Sequence, residues 1–128
     1  MTGFVAAMTA LSTPAFAGVA LNTIDRHATL DKAGRVVQVT GPIGCSQVER
    51  ATIRVTVSQR TTGAVAEGRW RGRCRPTART WTVRRFVQQG SAAFETSTAQ
   101  VCALGVTRRG TKVTDAKQWC QTVRLAKR

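Results

Sequence analysis

Residues 51–59 read ATIRVTVSQ, with Ala51, Ile53, Val55 and Val57 alternating against Thr52, Arg54, Thr56 and Ser58. Such alternation marks a strand with one face on a core and the other in water. Thr61-Thr62-Gly63 follows as a turn, and residues 64–70 read as the returning strand. The same texture recurs at 35–40, stopped by Gly41-Pro42, and at 80–88, bounded by Pro76 and Gly90. It returns at 92–103 and, after a turn at Arg108-Arg109-Gly110, at 117–125. Residues 28–30 add a short edge strand, and 114–118 a single helical turn. Six or seven short strands separated by turn residues predict an all-β chain folded as a single small β-sandwich or open barrel.

A different pattern precedes the strands. Residues 3–11 (GFVAAMTAL) form a short apolar run, followed by Pro14 and the small-x-small sequence Ala15-Phe16-Ala17. That is the form of an export signal, although no Lys or Arg precedes the run. The run is too short to cross a bilayer, which takes about 20 apolar residues. The expected organisation is a signal peptide over 1–17, a flexible lead-in over 18–27 and the β-sandwich over 28–128. The expected location is secreted or extracellular, with no transmembrane segment.

Export gives the four cysteines, Cys45, Cys74, Cys102 and Cys120, a meaning as disulfides. No C-x-x-C pair is present and His27 is the sole histidine, so no metal site is expected. Cys45 and Cys74 sit symmetrically about the turn near residue 60, and Cys102 and Cys120 about the turn near 110. Each pair is therefore placed to bridge the open end of its own hairpin, giving Cys45–Cys74 and Cys102–Cys120. The rival is an inter-sheet Cys45–Cys102 bridge, as in immunoglobulin domains, with Cys74–Cys120 as the second.

The segments VTVSQ, AEGRWRGRC, TWTV, AQVCA and QWCQTVRL resemble small exported, disulfide-bonded β-sandwich proteins of unknown function from actinobacteria. The resemblance covers most of the mature chain. It implies an immunoglobulin-like fold and an extracellular compartment, and brings no catalytic residues with it.

Charge is the feature that bears on function. The formal net charge is +14, and Arg outnumbers Lys 16 to 4. The densest run is Arg69, Arg71, Arg73, Arg75 and Arg79. On an extended strand, residues two apart share a face, so Arg69, Arg71 and Arg73 predict a cationic stripe. Arg84 and Arg85 follow in the next strand, and Arg54 and Arg60 belong to the preceding one. If these strands pair, the arginines converge on phosphates or carboxylates, which guanidinium groups hold bidentately. The candidate polyanion-binding residues are Arg69, Arg71, Arg73, Arg75, Arg84 and Arg85. The competing reading is that outward basic residues keep a β protein soluble and protect its edges, or reflect a GC-rich codon supply. Trp70, between two of the arginines, is either a stacking platform or a core residue; Trp81 and Trp119 read as core and disulfide-packing aromatics.

Nothing in the chain argues for catalysis. His27 lies in the lead-in, and Asp25, Asp31, Glu49, Glu67, Glu95 and Asp115 show no paired acid–base spacing. Gly41-Pro42-Ile43-Gly44 is no phosphate loop. The reading is a non-enzymatic binding module for an anionic polymer or surface, without cofactor or specific nucleic-acid partner. The alternative is a structural or protein-interaction domain of the cell envelope with no dedicated polyanion site.

Overall fold

The computed structural model describes residues 19–128; the expected signal peptide lies outside the described residues. Eight strands are present among them: β1 (Val19–Asn22), β2 (His27–Leu30), β3 (Val36–Cys45), β4 (Glu49–Gln59), β5 (Ala64–Cys74), β6 (Arg79–Phe86), β7 (Thr98–Arg109) and β8 (Lys112–Lys127). One layer pairs β6 with β3, whose other edge is shared by β2 and β1. The second layer runs β8-β7-β4-β5, all antiparallel. β2 joins the layers, pairing antiparallel with β3 and parallel with β8. The result is an immunoglobulin-like β-sandwich.

The core is built from period-two alternation on both layers. Val37, Val39 and Ile43 of β3 and Trp81 and Val83 of β6 face Ile53, Val55 and Val57 of β4 and Val101 and Ala103 of β7. Trp81 is 0% exposed. It lies opposite Gly41 in register, and a Cβ there would fall 2.6 Å from its ring. Only glycine admits the indole at that point; burial of its apolar surface contributes about 2–3 kcal/mol, offset in part by its Nε1–H, which is buried with no hydrogen-bond partner among the described residues.

Several expectations need correction. Gly41-Pro42 does not stop β3, which continues to Cys45. Between β2, paired at Val37 and Gln38, and β1, paired from Ile43, that edge of β3 has no strand partner at Pro42. A residue lacking an N–H is tolerated at such an edge. Val19–Asn22 of the expected lead-in form β1, and Ile24 is buried, so the sandwich takes in residues before 28. Residues 92–97 are not strand. Buried Gln59 holds them as a loop, its Nε2 donating to Glu95 O (3.0 Å) and Thr98 O (3.2 Å) while Glu95 N–H donates to its Oε1 (2.9 Å). The same loop passes close over Gly34, whose φ of 71° and 2.2 Å clearance from a Cβ position to Phe94 O both require glycine. Residues 114–118 lie within β8 rather than in a helical turn, beside an irregularity in the β7–β8 register at Thr107/Arg108.

The disulfides are Cys45–Cys74 and Cys102–Cys120. Cys102 and Cys120 are directly opposed in the β7–β8 hairpin, as the turn predicts. Cys45–Cys74 works differently. Cys74 lies opposite Glu49, while Cys45 ends β3 in the other layer, so this bridge staples the two sheets instead of closing one hairpin. Loops of 29 and 18 residues correspond to about 3 kcal/mol each in the chain-entropy model.

Candidate anion-binding face

β5 alternates between two kinds of side chain. Ala64, Ala66, Gly68, Trp70, Gly72 and Cys74 point inward; Val65, Glu67, Arg69, Arg71 and Arg73 point outward and form the expected stripe. β4 places Arg50, Thr52, Arg54 and Thr56 on the same outer face, because Ala51, Ile53, Val55 and Val57 take the core. β7 adds Leu104, Val106 and Arg108.

Register then assembles the site. The four-residue turn after Gln59, with Gly63 at a φ of 77°, pairs Gln59 with Ala64 and so fixes Arg54 opposite Arg69 and Arg50 opposite Arg73. On the other side of β4, Arg50 lies opposite Arg108, and Arg54 opposite Leu104. One row across the sheet is thus Arg108–Arg50–Arg73 and another is Leu104–Arg54–Arg69. The row between them is Val106–Thr52–Arg71. Directly opposed side chains have Cβ atoms about 5 Å apart, and Arg50 and Arg54 are about 13 Å apart along β4.

The outcome is a shallow concavity of about 550 Å³. Its wall is Arg50, Arg54, Arg69, Arg71 and Arg108, and Thr52, Leu104 and Val106 form a partly apolar floor. Arg73 continues the wall beside Arg50 and Arg71. Glu67, the one acidic residue on the outer face of β5, is 3.4 Å from Thr56 Oγ1.

Of the other expected arginines, Arg85 stays at the border of the face and Arg75 and Arg84 go elsewhere. β6 pairs with β3 and not with β5, because the chain crosses between layers after Cys74; Arg84 therefore emerges on the opposite side of the molecule, opposite Gln38. Arg85 extends toward the β5 edge, where a Cβ on Gly68 would meet its Cγ at 2.5 Å, and it borders the face beside Arg54 and Arg69. Arg75 is exposed in the β5–β6 connection, its carbonyl accepting from Cys45 N–H at 2.8 Å. Arg60 sits at the β4–β5 turn beside a separate concavity. Arg79 lies over the Trp70 ring at 5.4 Å and donates to Arg73 O at 3.2 Å. Trp70 therefore packs inward against the core and is not on the arginine face. Trp119 also packs inward, on the side of β8 opposite Cys120, and does not cover that disulfide.

Arg50 and Arg108 were not among the expected site residues. Their outward positions follow from the strand alternation, but their meeting depends on the β4–β7 register, which no turn connects.

The carboxylates are dispersed into structural roles. Asp25 accepts from Thr40 Oγ1 and Asp115 from Ala116 N–H. Glu49 is buried, accepting from Thr114 Oγ1, with Arg109 Nε 3.8 Å away. Asp31 receives the N–H groups of Val36 and Arg35, and the Val36 bond is the main cause holding its carboxyl below the usual range. Among the described residues no cluster of three His, Cys, Asp or Glu side chains gathers for a metal, and no helix is long and apolar enough to cross a membrane.

No family model and no curated protein matches the chain. Among solved structures it is similar to a glycosyl hydrolase family 2 member from Bacteroides cellulosilyticus DSM 14838, at 13% identity and a TM-score of 0.44 over 84% of this chain. The chain spans 14% of that protein's length.

Proposed function

We propose that the protein is an exported, non-enzymatic binding module that docks an anionic polymer or surface on the outer face of β4, β5 and β7. The observation that carries this reading is the register: Arg50 lies directly opposite both Arg73 and Arg108, and Arg54 opposite Arg69. Like charges directly opposed across strands destabilise a sheet, by about 0.2–1 kcal/mol per pair. An anion seated among them turns that repulsion into charge-assisted hydrogen bonding. Two disulfides agree with an oxidising, extracellular setting, as in the exported actinobacterial sandwiches that the sequence resembles.

The face also narrows the class of anion. Every outward position of β4, β5 and β7 is aliphatic, hydroxylic, amide, cysteine or charged, and Trp70 is turned away. Unpaired bases would find no aromatic platform to stack on. The reading therefore favours anions recognised by charge alone, such as sulfated or phosphorylated chains and anionic headgroups.

The test is a salt series of binding to heparin, duplex DNA and anionic vesicles. An Arg50→Glu, Arg54→Glu, Arg69→Glu triple variant is compared with an Arg26→Glu, Arg84→Glu, Arg124→Glu triple of equal net charge. Each neutralised anionic group contributes about 0.7–0.9 to the log–log salt slope, so the first triple should flatten it by about 2–3. The second should leave most of the affinity in place. Equal losses in both would make the binding a property of net charge and end the proposal.

A further inference from the structure

The two disulfides occupy unlike places. Cys45 and Cys74 are 1% and 0% exposed, at the junction of the two layers. Cys102 and Cys120 are on the outer face of the β7–β8 hairpin, Cys102 half-buried and Cys120 exposed. Thiol–disulfide exchange requires a thiolate to reach one sulfur while the other leaves, so access and leaving-group stability decide which bond reacts and in which direction.

Both requirements point one way at this bridge. Cys120 is the reachable sulfur. The side-chain amide of Gln100, two residues before Cys102 on the same face, donates to Cys102 Sγ at 3.9 Å. Arg54 is in the next row, diagonal to Cys102 through Thr56, about 7–8 Å away by strand geometry. A hydrogen-bond donor and a nearby cation both favour negative charge on Cys102, which makes it the better leaving group. The adjoining arginines raise the local concentration of any anionic reagent.

We propose that Cys102–Cys120 is a thiol-exchange site for an anionic low-molecular-weight thiol, whereas Cys45–Cys74 is an inert structural bridge. The thiolate attacks Cys120 Sγ, forming a mixed disulfide there. The Cys102–Cys120 bond breaks with its electron pair on Cys102, which takes a proton from solvent. A second thiolate attacks the small molecule's sulfur in the mixed disulfide, releasing the oxidised small-molecule disulfide and Cys120 thiolate. Two small thiols are oxidised and one protein disulfide is reduced. The hairpin survives the change, because β7 and β8 remain paired from Thr98↔Arg124 to Arg109↔Lys112 and the sheets stay stapled by Cys45–Cys74.

The experiment treats the oxidised protein with graded glutathione, traps free thiols with an alkylating reagent and maps both bridges by mass spectrometry, with circular dichroism alongside. The expected result is glutathione on Cys120 and the alkyl label on Cys102, at thiol concentrations at least tenfold below those that open Cys45–Cys74, with an unchanged β spectrum. Cysteamine, a cationic thiol, should react several-fold more slowly at equal thiolate concentration. Gln100→Ala should slow the opening at Cys102–Cys120 and even out the distribution of glutathione between Cys102 and Cys120. Opening of both bridges together, earlier opening of Cys45–Cys74, or glutathione on Cys102 in the unaltered protein would overturn the proposal.

Discussion

The outer surface of the β3–β6 layer carries Gln38, Thr40, Pro42, Thr80, Thr82, the exposed Phe86 and a single arginine, Arg84, while Arg79 and Arg85 alternate to the other side of β6. The outer surface of β4, β5 and β7 carries six arginines in facing rows. Both layers belong to one chain with one codon supply, and both need polar outer faces to stay in water. A need for solubility alone is met by threonine and glutamine on the first face. It gives no reason to oppose Arg54 with Arg69, or to set Arg50 between Arg73 and Arg108, where repulsion works against folding. The difference teaches that the net charge of +14 is not spread as a uniform coat. Six of the 20 basic residues gather on the outer face of the layer whose β4–β5 turn brings them into register.

The strongest way to break this comparison moves the charge without changing its total. Replacing Arg50 and Arg54 by Thr while changing Thr80 and Thr82 to Arg keeps the formal charge at +14 and transfers two arginines to the plain face. If placement matters, heparin affinity at fixed salt should fall at least tenfold, about 1.4 kcal/mol. Retained affinity would mean that the two faces are equivalent as anion-binding surfaces.

A smaller effect of opposite sign sharpens the same point. Arg54→Thr removes one of the opposed like-charge pairs and puts a strand-favouring residue in its place. The domain should gain about 0.2–1 kcal/mol in low salt, and most of that gain should vanish at 1 M salt, where the Debye length is about 3 Å. Arg84→Thr on the plain face should show no salt-dependent gain. Chemical denaturation of both variants at two ionic strengths decides the matter. A site residue that costs stability and supports binding behaves in this way; a solubilising residue does not.

How far the sequence discloses this face depends on the reach of each signal. Period-two alternation assigns Arg54, Arg69, Arg71 and Arg73 to outer positions, and the turn ending at Gly63 is enough to oppose the β4 arginines to those of β5. The cysteine spacing around two turns identifies both bridges, although for Cys45 the agreement has a different cause, since that residue ends β3. Arg108 was out of reach because β4 and β7 are far apart in sequence, and their register is set by packing of Ile53, Val55, Val101 and Ala103 in the core. Arg84 was misplaced for a related reason. Strands next to each other in sequence, β5 and β6, belong to different layers, and no local pattern marks the crossing. The loop over 92–97 escaped notice because what shapes it is the side chain of Gln59, more than thirty residues earlier.

The smallest expected effect returns to the plain side, where Arg84 lies opposite Gln38 and adds a minor favourable charge to the Asp31 carboxylate. Asp31 accepts N–H bonds from Val36 (3.0 Å) and Arg35 (2.8 Å), and these bonds, with a lesser contribution from the charge of Arg84, hold its pKa below the usual value. A carboxylate whose pKa is lower folded than unfolded stabilises the fold above its unfolded pKa, about 3.9. That contribution is lost as pH falls through the folded value. Asp31→Asn should therefore lower Tm slightly at pH 6, and the gap from the unaltered protein should close as pH falls below about 4. Salt should narrow the gap only modestly, because backbone donors, and not Arg84, are the main cause. If the gap were to widen on acidification, the assignment of Asp31 would fail. If it collapsed in salt at pH 6, Arg84 would be the dominant partner, and the plain face would owe more to charge than its side chains suggest.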